Sequence, residues 1–212
     1  MSEAIERLIG GVDWLGHASF RLRGEKTVYI DPWKLRNAPR DGDLILITHT
    51  HYDHYSSEDI EKAVSEGAAV VAPAACRDKV TEPNTVFLAP GESADVAGLK
   101  VDAVRAYNTN KEFHPRDNDW LGYIVTLDGV RIYHSGDTDV IDEMRGLACD
   151  VALLTVSGTY VMTADEAVEA AGRIGPKVAI PMHWGDIVGG RADAEHFKVA
   201  APCPVVLLDA QT

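Results

Sequence analysis

The stretch Asp43-Leu44-Ile45-Leu46-Ile47-Thr48-His49-Thr50-His51-Tyr52-Asp53-His54 decides how this chain is read. Leu44 to Ile47 is an unbroken apolar run, the pattern of a strand buried on both faces of an α/β sheet. Three histidines and an aspartate follow at once. They fall where a buried strand gives way to a loop, the edge at which open α/β sheets hold their ligands. His49 and His51 are two residues apart and share a face on extended backbone, so both can reach one metal ion. Asp53 and His54 come after the turn and point elsewhere, which a second ion beside the first accommodates. Imidazole with carboxylate suits zinc, iron or manganese. A ligand set without cysteine gives no reason to expect copper(I) or an iron–sulfur cluster.

Outside this stretch the composition is that of a globular chain, and 212 residues suit one α/β domain spanning 1–212. The formal net charge of -13 argues against nucleic acid as the principal partner, because non-specific binding needs a basic surface. Cys76, Cys149 and Cys203 form no C-x-x-C pair and no disulfide framework, and read as small packing residues. Met1 to Gly10 has no apolar leader core, and no stretch is long enough for a membrane span. A reducing cytoplasm follows as the expected location. A small-molecule substrate is the expected partner, and a homo-oligomer is left open. Trp14, Trp33, Trp120 and Trp184 suit a pocket, an interface or the core equally.

Taken in order, Val12 to Leu15, Phe20 to Arg23 and Thr27 to Asp31 read as strands, with His17 in the first turn. Ser56 caps a helix expected to run to about Gly67. Val70 to Ala72, Thr85 to Leu88 and Leu99 to Ala106 read as strands, and Pro73 to Val80 as a short helix. Asp128-Gly129 between two β-rich runs predicts a hairpin of Tyr123–Leu127 with Val130–Ser135. Asp139 to Gly146 reads as a short helix and Val151 to Val156 as a buried strand. Thr163 with Glu166 forms a capping box that opens a helix to about Ile174. Val178 to Ile180 reads as a strand that ends at Pro181-Met182-His183. Ala192 to Val199 reads as an amphipathic helix carrying a surface His196, and Val205 to Leu208 as a closing strand.

His49-x-His51-x-Asp53-His54 resembles the signature of the metallo-β-lactamase superfamily. Gly16-His17-Ala18-Ser19, Ile30-Asp31-Pro32, Tyr133-His134-Ser135-Gly136-Asp137-Thr138 and Ile180-Pro181-Met182-His183 extend the likeness over nearly the whole chain. The chain resembles the branch of small metal-dependent hydrolases that includes ascorbate-6-phosphate lactonase-like proteins. More distantly it is similar to N-acylphosphatidylethanolamine-hydrolysing phospholipase D. The resemblance implies a four-layer αββα sandwich, with Asp137 bridging two ions and His17 beside the metal site. One departure stands out. Many relatives place a metal-binding histidine directly after the aromatic residue of Ala106-Tyr107, and here that position is Asn108. His114, six residues on, is expected to swing into the vacant place, because catalytic zinc usually takes three protein ligands.

The resulting assignment gives one ion His49, His51 and His114 and the other Asp53, His54 and His183, with Asp137 between them. The pair of divalent ions is expected to be zinc, with manganese or iron as alternatives. A hydroxide between the ions would be the nucleophile, and Asp53 and His54 the catalytic residues, Asp53 also accepting a proton. Asp31 is expected to orient the ligand loop, and Tyr160 to reach substrate. Lys34, Arg36, Arg40, Lys111 and Arg116 lie in loops expected to rim the pocket. They suggest a small anionic ester, lactone or phosphodiester as substrate. Two other classes remain: an iron-dependent redox enzyme on the same scaffold, and a metal-binding regulatory protein without turnover.

Overall fold

The computed structural model describes residues 2–211. The N-terminal half supplies α1 (Glu3–Ile9), β1 (Val12–Gly16), β2 (Ser19–Arg23), β3 (Thr27–Ile30), β4 (Gly42–Leu46), α2 (Ser57–Ala63), β5 (Val64–Pro73) and β6 (Thr85–Leu88). The C-terminal half supplies β7 (Ser93–Val96), β8 (Leu99–Arg105), β9 (Leu121–Leu127), β10 (Val130–His134), β11 (Val151–Thr155), α3 (Ala164–Ile174), β12 (Val178–Met182) and α4 (Arg191–Ala200). The strands form two six-stranded sheets, ordered β1-β2-β3-β4-β5-β6 and β12-β11-β10-β9-β8-β7. Each is antiparallel at one end and parallel at the other. The parallel parts are β3 to β6 and β10 to β12.

Side-chain alternation explains the layering. Leu44 and Leu46 of β4 point into the main core, together with Val28 and Ile30 of β3 and Tyr123, Val125 and Ile132 of the other sheet. Ile45, Ile47 and Tyr29 point the other way, into a smaller core with Ile60 and Ala63 of α2. An apolar run that is buried on both faces is what a central parallel strand requires. On the second sheet α3 packs on β11 and α4 on β12. The architecture is therefore two sheets face to face with helices outside, the expected α/β sandwich.

Several expected elements differ. The helix after Ser56 stops at Ala63, because Val64 turns extended and begins β5. A register shift between Gly42 and Leu44, with Gly67 at φ +79, absorbs the extra residues. The helices expected at 73–80 and 139–146 shrink to single turns, Ala74–Cys76 and Asp142–Met144. In the second case the Asp139 carboxylate accepts from the backbone N–H groups of Thr109 (2.8 Å) and Asn110 (3.3 Å), so it serves another loop instead of starting a helix. Val205 makes only a single bridge to Ala179 in place of a closing strand. Two elements, α1 and β7, lie outside the expected ones. The cysteines are free, Cys76 buried and the others half-buried. Among the described residues no helix is long and apolar enough to cross a membrane.

The two sheets meet at one edge. Leu121 N–H donates to Thr48 O (3.1 Å), the Tyr123 hydroxyl to Ile47 O (2.8 Å), and His183 N–H to His17 O (2.8 Å). Gly122 and Gly136 make this approach possible. A Cβ on Gly122 would lie 2.6 Å from the carbonyl oxygens of His134 and Ser135. One on Gly136 (φ +59) would lie 2.6 Å from Leu121 O.

Candidate metal centre

Strand ends from both sheets deliver the site. The loop after β4 carries His49, His51, Asp53 and His54. The turn between β1 and β2 carries His17, and the end of β3 carries Asp31. From the other sheet come His114 in the loop between β8 and β9, Asp137 after β10 and His183 after β12. His17 (φ +51), Asp31 (φ +45) and His183 (φ +63) hold left-handed backbone, which costs a residue with a Cβ roughly 1–2 kcal/mol. Such strain persists where packing and hydrogen bonding overdetermine it, and it clusters at functional sites.

Three groups of side chains each bring their ligand atoms within 4.8 Å of one another: His49, His51 and His114; His17, Asp53, His54 and His183; and His49, His54 and Asp137. Asp137 stands between the first two. Its Oδ2 lies 3.2 Å from His114 Nε2, 3.2 Å from His183 Nε2 and 3.4 Å from His54 Nε2. His49 Nε2 and His51 Nδ1 are 3.0 Å apart, so two imidazoles converge on one point. His17 sits closer to the centre than the sequence reading placed it. Its Nε2 is 3.0 Å from Asp53 Oδ2 and its ring stacks on His183 with centroids 3.7 Å apart.

The far nitrogens are fixed from behind, as in metal sites whose outer hydrogen bonds set tautomer and ring angle. Asp31 accepts from Thr48 N–H (2.8 Å) and the Thr48 hydroxyl (2.6 Å), and lies 2.7 Å from His54 Nδ1. The same Thr48 hydroxyl is 3.0 Å from His49 Nδ1. Ser157 Oγ lies 3.0 Å from His183 Nδ1. Asn108 Oδ1 accepts from His114 N–H (2.9 Å) and faces His114 Nδ1 (3.1 Å), and Tyr160 O also faces Nδ1 (3.2 Å). The amide of Asn108 donates to Asp139 Oδ1 (3.2 Å) and Tyr160 O (3.0 Å). Asn108 therefore turns His114 Nε2 toward Asp137. Trp120 packs against His49, centroids 4.8 Å apart. The roles of Thr48, Ser157, Asp139 and Trp120 were not read from the sequence. Thr48 and Asp139 carried a faint signal by lying next to and two residues from expected ligands, and Ser157 carried none. His134 is buried and ties β10 to Ala18 O at 2.9 Å, a packing role, and His196 is exposed beside Asp165.

Burial alone would raise the Asp137 carboxyl, but His183 and His54 hold it well below the usual carboxylate range. Burial also opposes charge on His54, yet Asp137 and Asp31 outweigh it and push the imidazole well above its ordinary value. His49 goes the other way, lowered by burial and by His54. Burial would raise Asp53, but the His17 hydrogen bond and His54 bring it down to about 2. This is an anionic centre ringed by imidazoles.

The donor set fits metal ions by a separate observation. His54 Nε2, His114 Nε2, His183 Nε2 and Asp137 Oδ1 are buried with no hydrogen-bond partner among the described residues. Each such orphan costs about 1–3 kcal/mol. Together they would take a large share of a net stability of roughly 5–15 kcal/mol. Bound cations would give these four atoms partners.

A cavity of about 250 Å³ opens onto this cluster, with His51, Asp53, His114, Asp137 and His183 as its floor and Tyr160 among its walls. None of the five cations expected at its rim lines it. Lys34 pairs with Asp186 (2.8 Å), Lys111 with Asp139 (2.6 Å) and Arg116 with Glu143 (3.3 Å). Lys34 and Arg36 line a separate cavity. Neighbouring carboxylates hold Lys34, Lys111 and Arg116, which is why these three do not line the opening.

Fold and centre together are those of the β-lactamase superfamily, and the chain belongs to that family: the signature of the beta-lactamase superfamily domain matches residues 11–183. The chain is 34% identical over 202 residues to a UPF0173 metal-dependent hydrolase of Thermococcus onnurineus, covering 88% of this chain and 90% of the relative. A UPF0173 metal-dependent hydrolase of Thermoplasma acidophilum is 35% identical over 202 residues, with 89% of each chain covered. Among solved structures, a chain from Parabacteroides distasonis described as a candidate metal-dependent hydrolase superposes with a TM-score of 0.81 at 30% identity, over 94% of this chain and 93% of that one. These names carry the class of chemistry and no substrate.

Proposed function

We propose that the chain is a dinuclear hydrolase that cleaves an ester, lactone or phosphodiester bond in a small molecule. The carrying observation is the arrangement around Asp137. Three unpartnered imidazole nitrogens converge on one of its oxygens, its other oxygen is free, and Asp137, His114 and His183 face an open cavity. His49, His51 and His114 would hold one ion, Asp53, His54 and His183 the other, and Asp137 would bridge. The all-nitrogen-and-oxygen donor set favours zinc, with manganese or iron next. When bound, the pair supplies Lewis acidity, lowering the pKa of water toward roughly 7 and polarising a carbonyl or phosphoryl oxygen.

The chain's own residues do the rest. Asp31, Thr48, Ser157 and Asn108 lock the imidazoles so that no reorganisation is needed at the moment of reaction. Asp53, held ionised with His17 Nε2 at 3.0 Å, faces the cavity and can take the proton of the attacking water and pass it to the leaving oxygen. Hydrolysis then adds hydroxyl to the acyl carbon or phosphorus and hydrogen to the leaving oxygen. The test is a screen of lactones, aryl esters and phosphodiesters with protein stripped by chelator and reloaded with zinc, manganese or iron. Turnover should vanish on stripping and return on loading, and Asp53→Asn should lower kcat about 10²–10⁴-fold at metal concentrations that saturate the variant. Turnover that survives complete stripping would overturn the reading.

A further inference from the structure

Among the described residues three large apolar side chains are exposed: Tyr52 (68%), Phe113 (48%) and Val199 (88%). Two of the three, Tyr52 and Phe113, line the cavity over the metal ligands. Neither is loose. Tyr52 stands edge-on to Trp33 with ring centroids 6.1 Å apart, and Phe113 stands perpendicular to Tyr160 at 4.7 Å. Ile187, half-buried, completes the wall. Three separate loops, at 52, 113 and 187, thus bring apolar groups to one opening. No lysine or arginine lines it, and its charged lining groups are Asp53 and Asp137.

Exposed apolar side chains gathered in a concave site are the usual mark of a ligand surface, and a few polar groups at the floor set the ligand's orientation. Resting on the hydrolytic reading of this same centre, we propose that the substrate carries an uncharged alkyl or aryl substituent next to the scissile bond, seated between Tyr52, Phe113, Tyr160 and Ile187. The reactive oxygen faces Asp137 and the histidines, and the substituent points outward along the aromatic wall. A cavity of about 250 Å³ holds one ring or a short chain beside the scissile bond. A carboxylate or phosphate on that substituent would meet rings and an isoleucine, with no lysine or arginine among the lining groups.

Two series test this in parallel on zinc-loaded protein. The first is kcat/KM for p-nitrophenyl acetate, butanoate, hexanoate, benzoate and hemisuccinate. The second is binding, by calorimetry, of the hydroxamic acids with the same acyl groups, which chelate the metal whether or not the protein turns over. Each buried methylene is worth about fourfold. Both series should rise by roughly tenfold or more from acetyl to hexanoyl and benzoyl, with the succinyl member below butanoyl. Tyr52→Ser and Phe113→Ser remove exposed groups and leave the core intact, and should flatten both series. A rising hydroxamate series with no ester turnover would uphold the apolar subsite and overturn the esterase side of the hydrolytic reading. A flat hydroxamate series, or one in which the succinyl member binds best, would overturn the subsite even if the esters are hydrolysed.

Discussion

Asn108 shows how one residue can change position in a site without changing what the site is. An amide is a poor zinc ligand, but as a partner behind His114 it accepts from both the main chain and, in the right tautomer, the ring of that histidine. Asn108→Ala should therefore weaken binding of one ion by about 10–100-fold, the range for loss of an outer-shell partner, with little effect on the other ion. Chelator competition would read this, and equal loss at both sites would contradict it. His54 gives a second residue-scale expectation. In the metal-free protein Asp137 and Asp31 keep it protonated above its ordinary pKa, despite burial. Metal must displace that proton, so loading near pH 7 should release protons. Calorimetry in buffers of different ionisation enthalpy measures it, and buffer-independent heats would contradict it. His49-x-His51-x-Asp53-His54 made the centre legible because the chemistry is contiguous. His114 needed the gap at Asn108 to be noticed. Ser157 was illegible because it meets His183 only through the packing of β11 beside β12.

At the scale of elements, the loops carry the chemistry and the strands hold them in place. Where the apolar period was clear, as in β4, β9 and β11, the sequence sufficed to find the strand. It failed where a side chain served a distant loop, as Asp139 does, or where pairing was only one bridge long, as at Val205. Close approach of backbone was also invisible in advance. Gly122 has ordinary backbone, so adding a methyl there is a purely steric test. Gly122→Ala should lower stability by about 1–3 kcal/mol and loosen metal binding, because β9 would be pushed off the end of β10 beside Asp137. An unchanged unfolding midpoint would contradict the account of the edge. The capping box at Thr163, in contrast, was read directly and is present in full. Thr163→Ala should cost about 1 kcal/mol, seen as a drop of roughly 2–4 °C in Tm with metal content unchanged.

For the whole molecule, several carboxylates are held by partners on other elements. Asp150 accepts from Arg131 N–H (2.9 Å) and pairs with Lys177, Asp102 pairs with Arg131, and Asp43 accepts from Thr27 N–H (2.8 Å) beside Lys26. Partial burial would raise all three carboxyls, but these partners lower them. A carboxyl depressed in the folded state stabilises the fold above its unfolded pKa, and that contribution is lost as pH falls through the folded value. Stability should therefore fall below about pH 4. Asp150→Asn should make the fall shallower, and an acid limb unchanged in that variant would contradict this. The two-sheet architecture converts contiguous and distant residues alike into one centre, because both sheets present their strand ends at the same edge. That convergence predicts two ions per chain. Elemental analysis of protein purified without chelator, wild type beside His114→Ala, tests it most directly. About two zinc or manganese ions are expected in wild type, falling toward one in the variant. One ion or none in wild type, or two in both proteins, would contradict it.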